Sequence, residues 1–264
     1  MINKRGYQTI EELSKFERAE TAYRAFELEL KPLKGRFDYE HLKIIHKYLF
    51  QNVYEWAGTP RTTTITKGGF VFCPHQDLER HAHYAFSQLQ RDNFLKSKDL
   101  NEFVEKTAKH YNEINYGHYF REGNGRSGRM FFSQMAKEAG YDIQWERMDV
   151  ERYYRAVVQA AKTDRLDELK QLFRDYTVSL GREKEQDKPE RTGREIQQDI
   201  DSSMFKVRLL DRKIHYLLEN DPQHPQLQRY VNEKDAYMGS VSKHVDELGR
   251  YLDQSPSPDR GMER

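Results

Sequence analysis

The run "HYFREGNGRSGR", residues 118–129, gathers a histidine, a carboxylate, a Gly-Asn-Gly triplet and arginines into one short stretch. A Gly-Asn-Gly triplet just ahead of a helix lets main-chain N–H groups turn toward an anion, and the helix dipole favours negative charge there. Arg126 and Arg129 are three residues apart, so they share a helical face and can both reach one polyphosphate. Glu122 stands beside the triplet. Among arginines alone it would form salt bridges, whereas beside phosphates it can hold Mg²⁺. His118 lies upstream in the loop and can serve as a neutral base near pH 7. Taken singly, each feature has a plainer reading: an idle histidine, a solvated arginine face, a turn. Their joint spacing favours a phosphate site with its own base over a loop that is merely charged. Phe120 is expected to pack into the core and fix the loop.

Helices must position this run. Thr9 followed by Glu12 makes a capping box for a helix over 9–30, with Leu13, Phe16, Tyr23, Phe26 and Leu30 on its apolar side and Pro32 beyond it. Asp38 caps the next, where Leu42, Ile45, Leu49, Val53 and Trp56 recur at helical spacing until Gly58 and Pro60. "RTTTITKGGFVFCP" is β-branched and aromatic, is split by Gly68–Gly69 and closes at Pro74; it reads as a short β-hairpin and as the one convincing strand signal. Helical patterns resume at 77–95 and at 99–116, where Asp99 and Glu102 form a second box-like start, and then over the stretch ending at Gly140. Asp149 and Asp164 are expected to cap two more. Tyr153, Val157 and Ala161 share one face, and Leu166, Leu169, Leu172 and Phe173 another.

The chain has 264 residues, a net charge of +1, 36% hydrophobic and 33% charged residues. That balance argues against nucleic-acid binding by bulk charge, so the tyrosines read as half-buried core. Cys73 is the sole cysteine, which rules out an internal disulfide and fits a packed hairpin residue in a reducing compartment. No run of roughly 18 apolar residues exists to span a membrane, and the start lacks a signal-peptide core. A bacterial cytoplasmic location is expected, with export into a host or recipient cell as the alternative. His41, His46, His75, His81, His83 and His110 are read as structural rather than as a metal site.

Residues 181–195 contain no large apolar side chain and read as an exposed linker between a first domain, 1–180, and a helical appendage, 196–253. In the appendage Ile200, Val207, Leu210, Ile214 and Leu217, then Leu227, Val231, Met238, Val241, Val245, Leu248 and Leu252, follow near-heptad spacing around the turn "ENDPQHPQ". Two antiparallel helices, or a coiled-coil seam between two copies, would bury these rows. Residues 254–264 read as a disordered tail.

The motif resembles the signature of Fic-domain proteins, His-x-Phe-x-(Asp/Glu)-Gly-Asn-Gly-Arg-x-x-Arg, which His118 to Arg129 match at every defined position. "FDYEHLKIIHKYLFQNVYEWAGTPR", 37–61, is similar to the family's upstream helix, the 62–73 hairpin stands in the place of its target-docking flap, and coverage is roughly residues 9–180. The resemblance implies an all-α fold: a Fic-type helical bundle with a short β-hairpin flap, followed here by a helical hairpin or coiled-coil appendage. It implies transfer of AMP from ATP to a Ser, Thr or Tyr hydroxyl of a target protein, with His118 as base. Glu122 would hold the Mg²⁺ bridging the α- and β-phosphates, and Gly123, Asn124 and Gly125 would form the anion hole, Asn124 also touching the α-phosphate. Arg126 would take the β-phosphate and Arg129 the γ-phosphate, while Thr64, Ile65 and Lys67 belong to the docking flap.

Two positions refine this. Tyr119 stands where many members carry proline, which leaves loop rigidity to other forces. Gly125 is not the lysine of the family's kinase-like branch. The alternatives are transfer of another nucleotide-derived group, or a catalytically idle nucleotide-binding module. Family precedent offers topoisomerases and small GTPases as targets. Members are commonly restrained by a helix bearing Ser/Thr-x-x-x-Glu-Gly/Asn; only Ser179 has a glutamate four residues on, Glu183, and Lys184 follows it. A small separate antitoxin-like inhibitor is therefore expected, along with self-association through 196–253 as a further possibility of the appendage.

Overall fold

In the computed structural model, residues 3–180, 193–220, 222–223 and 227–254 are described. They fall in two compact units, Met1–Arg182 and Glu183–Arg264. Local sequence signals start most of the helices. Helix α1 (Ile10–Leu30) opens on the Thr9/Glu12 capping box, with both reciprocal hydrogen bonds formed. Asp38 caps α2 (Tyr39–Phe50), Asp99 caps α4 (Leu100–Gly117) and Asp149 caps α6 (Val150–Thr163), each accepting a main-chain N–H three residues on. Between them run α3 (Leu78–Arg91) and α5 (Asn124–Ala139), and α7 (Asp167–Tyr176) follows α6. Helix α5 is the central one: Met130, Phe131, Phe132, Met135 and Ala136 are buried where it meets α1, α2 and α4.

The structure departs from the sequence pattern at several points. Helix α2 stops at Phe50 rather than running to Trp56. The N–H groups of Val53 and Tyr54 both turn back to the Phe50 carbonyl, and the Val53 carbonyl accepts from Lys4 N at 2.9 Å, so a main-chain partner from the N-terminal segment replaces the next helical turn. The pattern over 77–95 breaks after α3, where Asn93, Phe94 and Leu95 all take positive φ. Asp164 does not start a helix. It ends α6 in the left-handed region, and α7 begins after Leu166 without a side-chain cap.

The hairpin is shorter than 62–73. Strands β1 (Thr66–Lys67) and β2 (Phe70–Val71) pair antiparallel, with Lys67 opposite Phe70. Gly68 and Gly69 have φ of 58° and 75°, the paired positive values of a two-residue type I′ turn. One further bond, Phe72 N to the Ile65 carbonyl at 3.1 Å, extends the ladder. It is not the sole sheet: β3 (Tyr141–Ile143) pairs antiparallel with β4 (Thr177–Ser179). Three-residue strands 34 positions apart carry too little alternation to be read locally.

In the second unit, α8 (Gly193–Asn220) and α9 (Leu227–Gln254) pack as an antiparallel pair, so this chain supplies both sides of the expected seam. Lys234 bonds Asp211 at 2.9 Å and Lys206 lies 5.3 Å from the Tyr237 ring centre, which sets the opposed direction. Ile196, Ile200, Val207, Leu210, Ile214 and Leu217 of α8 are buried. Met238 and Val245 of α9 are half-exposed despite their place in the apolar row. Of the expected linker 181–195, residues 193–195 belong to α8. Its remainder, and the tail from Ser255, lie outside the described residues.

Candidate functional site

Helix α4 ends where the motif begins. His118 is its cap residue, held at φ 43° and ψ 52° in the left-handed region, which turns the chain sharply into the loop before α5. Its ring stacks on Phe72 of the hairpin, with centres 3.9 Å apart at 21°. Nδ1 is buried with no partner in hydrogen-bonding geometry. Burial pushes the imidazole down to about 4; Arg61 and Lys67 add to the effect and the Asn115 backbone opposes it. At neutral pH the ring is uncharged and can accept a proton.

The cradle follows. Gly123, at φ 82°, is the residue before α5, and a Cβ there would lie 2.2 Å from the Phe50 ring. Only glycine fits. Its N–H donates to Glu122 Oε1 at 2.9 Å, and the Glu122 side chain is half-exposed at the mouth of the site. The N–H groups of the first turn of α5, at Gly125 and Arg126, have no acceptor within the helix and can serve an anion. Asn124 uses both side-chain atoms on the loop itself: Oδ1 accepts from Phe120 N at 2.8 Å and Nδ2 donates to the Phe120 carbonyl at 2.7 Å. The asparagine therefore closes the turn that presents the cradle.

The arginines differ sharply. Arg126 donates to Glu17 of α1 and to Thr21 Oγ1 at 3.2 Å, and lies 4.7 Å from the Phe50 ring centre. Glu17 is buried and also accepts from Tyr54 Oη. Arg129 meets the Tyr153 hydroxyl at 3.5 Å, and that ring's face at 5.7 Å. Among the described residues no carboxylate balances it. The two share a face, as their spacing predicts, but one guanidinium is neutralised and the other is not.

Sequence spacing gave no sign of His46, Glu17 or Arg61, which hold the site from a distance. His46 Nδ1 accepts from Gly58 N at 2.9 Å, so Nε2 carries the proton and donates to the Glu122 carbonyl, also at 2.9 Å. The ring is sandwiched by Phe120 at 3.8 Å and Phe50 at 4.7 Å, and burial pushes it down to about 4. Phe120 is buried as expected, and so is Cys73, whose thiol burial pushes up. Tyr119, in the place of the usual proline, is buried; its hydroxyl bonds His81 Nδ1 at 2.9 Å, and His81 Nε2 meets Glu113 at 2.9 Å. Packing and this three-residue chain replace the constraint of a proline ring.

Two buried neutral imidazoles make stability acid-sensitive. Unfolded, His46 and His118 titrate near 6.5; folded, both resist protonation until about 4. Between those values the unfolded chain binds protons that the folded chain refuses. Stability therefore falls as pH drops from about 6.5 to about 4. Burial shifts His41 and His110 in the same direction. The urea midpoint is expected to decline steadily across that window, and a flat midpoint would show that these rings are not held neutral.

One cleft of about 980 Å³ is lined by His118, Glu122, Gly123, Asn124, Gly125, Arg126 and Arg129, with Lys67 at the hairpin tip. Tyr7, Leu13, Tyr153 and Val157 give it apolar walls. Thr64 and Ile65 do not line it. Thr64 instead bonds His75 at the hairpin's base, with Oγ1 to Nδ1 at 3.2 Å. A neutral base, an N–H cradle and an unbalanced cation open onto one space, a combination suited to displacement at a polyphosphate.

A helical bundle with this motif and flap defines a family, and the chain belongs to it: residues 36–136 match the model of the Fic/DOC family. It is 34% identical over 185 residues to the probable protein adenylyltransferase Fic of Salmonella typhimurium, covering 70% of this chain and 90% of that protein. It is 40% identical over 154 residues to the protein adenylyltransferase VbhT of Bartonella schoenbuchensis; the match takes in 57% of this chain but only 32% of VbhT. Among solved structures, the Bartonella tribocorum BepC protein, a VirB-translocated effector with bound AMPPNP, superposes with a TM-score of 0.65 at 25% identity, covering 68% of this chain and 92% of that one. Among the described residues no helix is long and apolar enough to cross a membrane.

Proposed function

We propose that the chain transfers AMP from ATP to a hydroxyl of a target protein. One observation carries the reading: a buried neutral histidine and an unbalanced arginine face the same cleft as the α5 N–H cradle. His118 takes the proton from a Ser, Thr or Tyr hydroxyl. The hydroxyl oxygen then bonds the α-phosphorus as the bond to the β-phosphate oxygen breaks, and pyrophosphate leaves. The N–H groups of Asn124 and Gly125 hold the α-phosphate, joined by that of Gly123 once Glu122 Oε1 turns away from it, while Arg126 takes the β-phosphate and Arg129 the γ-phosphate. The half-exposed Glu122 carboxylate lies beside the cradle, its Oε1 accepting from Gly123 N and standing 3.6 Å from Arg126 Nη2; it would hold a Mg²⁺ whose other ligands come from water and phosphate. Such an ion would supply charge neutralisation.

ATP labelled at the α-phosphate, incubated with the chain and a bacterial or host lysate, is expected to label protein above the lysate alone, while γ-labelled ATP adds nothing over the lysate alone. Protein label above the lysate alone from both would overturn AMP transfer in favour of another group. Tight ATP binding without any such label would leave a binding module. Family precedent offers bacterial topoisomerases and small GTPases as targets, among other proteins. The former fit action in the bacterial cytoplasm, and the latter fit export into a host or recipient cell.

The hairpin serves target docking by strand addition along its free edge. Thr64→Pro removes an N–H at that edge and is expected to abolish protein labelling with ATP affinity and helicity unchanged. Persistent labelling would place docking elsewhere.

Arg129 has no carboxylate partner among the described residues, and Ser179 ends strand β4 rather than standing in a helix. The strand at Ser179 supports a separate small antitoxin-like protein that supplies a carboxylate to Arg129. Truncation after Gly181 is then expected to leave self-modification unchanged. A large gain would mean that the restraint is internal to residues 182–264. The paired helices α8 and α9 offer a surface for self-association, which analytical ultracentrifugation of the full chain would detect.

A further inference from the structure

Arg61 is buried, at 5% exposure, and among the described residues no carboxylate stands among its hydrogen-bond partners. Its guanidinium donates to four carbonyls instead. Nε reaches the His118 carbonyl at 2.7 Å, and Nη2 reaches those of Gly117, at 3.1 Å, and Cys73. Nη1 reaches the Thr63 carbonyl at 2.7 Å. The Arg61 main-chain N–H adds a fifth bond, to the Tyr119 carbonyl at 2.8 Å. The Gly117 and His118 carbonyls close α4, where the helix dipole is negative and favours the cation, although burial still pushes the guanidinium down.

These contacts have a clear topology. Thr63 and Cys73 are the two legs of the hairpin, while Gly117, His118 and Tyr119 are the turn that carries the base. One planar group fastens both legs to that turn. Cys73 N also donates to the Tyr116 carbonyl at 3.1 Å, and Phe72 lies flat on the His118 ring. The hairpin and the left-handed turn therefore cannot shift independently while Arg61 is in place. A lysine could not reproduce this, because an ammonium is a point charge with three donors and lacks the planar fork.

We propose that Arg61 is a positioning residue that couples the docking hairpin to the base, fixing the distance between a target segment bound on the hairpin and the imidazole of His118. The proposal rests on His118 being that base. Arg61 touches neither nucleotide nor target in this role. Its charge also helps to hold the imidazole neutral, alongside burial and Lys67 and against the Asn115 backbone.

The test uses the full chain with Arg61→Lys and Arg61→Ala. Hydrogen exchange is expected to accelerate together in 62–73 and 117–119 in both variants. Protein-bound label from α-labelled ATP and lysate should fall about tenfold or more, with ATP affinity within about a factor of two. In Arg61→Ala, guanidinium added to the assay should restore part of the labelling, and by NMR His118 should titrate at higher pH than in the unaltered chain. If Arg61→Ala unfolds, the exchange and labelling of Arg61→Lys decide the matter. Exchange that rises in only one of the two segments, or labelling by Arg61→Lys equal to the unaltered chain, overturns the coupling. His118→Ala run in parallel separates the two readings. If it stays active, the base assignment fails; if it is silent while Arg61→Lys is unaffected, only the coupling fails.

Discussion

His118→Ala is expected to reduce AMP transfer by about 10²–10⁴-fold, the range that a positioned general base contributes, while ATP affinity stays within about a factor of two. The separation follows from position. The imidazole sits at the end of α4 against Phe72, on the hairpin side of the cleft, whereas the phosphate groups are met by the start of α5 and its arginines. Removing the ring should cost the proton acceptor and no phosphate contact. The pH profile provides a second reading. With the imidazole held down to about 4, transfer should be level from pH 7 to about 5 and fall only as the ring protonates below that. A fall beginning near 6.5 would describe a solvated histidine. Isothermal titration with ATP and initial-rate labelling are the measurements, and equal loss of binding and transfer would refute the role.

Arg126→Ala should act on two observables at once. Loss of a charge-assisted phosphate contact of about 1.5–3 kcal/mol weakens ATP binding on the order of 10- to 100-fold. The substitution also strands Glu17, whose side chain is 12% exposed and whose remaining named partner is Tyr54 Oη. Truncating one side of a buried pair costs about 3–5 kcal/mol; here, with Arg126 29% exposed, about 2 kcal/mol is the reasonable scale. The double variant Arg126→Ala with Glu17→Gln tells the two apart. It should regain much of the melting temperature and none of the affinity. Unchanged ATP affinity in the single variant would remove Arg126 from the phosphate site.

Local devices made most of the helices legible in the sequence. Thr9 with Glu12, and Asp38, Asp99 and Asp149, each act within four residues of themselves, so their meaning survives without tertiary information. The motif is likewise local, and it indicates the floor of the cleft. What holds that floor in place is not local. Glu17 meets Arg126 across 109 positions, and His46 meets the Glu122 carbonyl across 76. A histidine that reads one main-chain oxygen leaves no periodic trace. The same reason hides β3 and β4, whose pairing stabilises two segments that are neither apolar nor alternating enough to announce themselves. Asp164 is the reverse case: a good capping residue closes the preceding helix, because its left-handed φ of 56° suits a C-terminal turn.

Arg129 makes the stability of this fold responsive to anions. Its guanidinium meets the Tyr153 hydroxyl and, among the described residues, no carboxylate, so an anion that reaches it adds an ion pair the fold does not itself supply. By mass action, a ligand at a hundred times its dissociation constant raises stability by about 2.7 kcal/mol. A melting curve thus becomes a detector that needs no knowledge of the target. Nucleotides, inorganic polyphosphates and a partner's carboxylate can be ranked by the degrees they add, and Arg129→Gln should remove the advantage of ligands that carry a γ-phosphate.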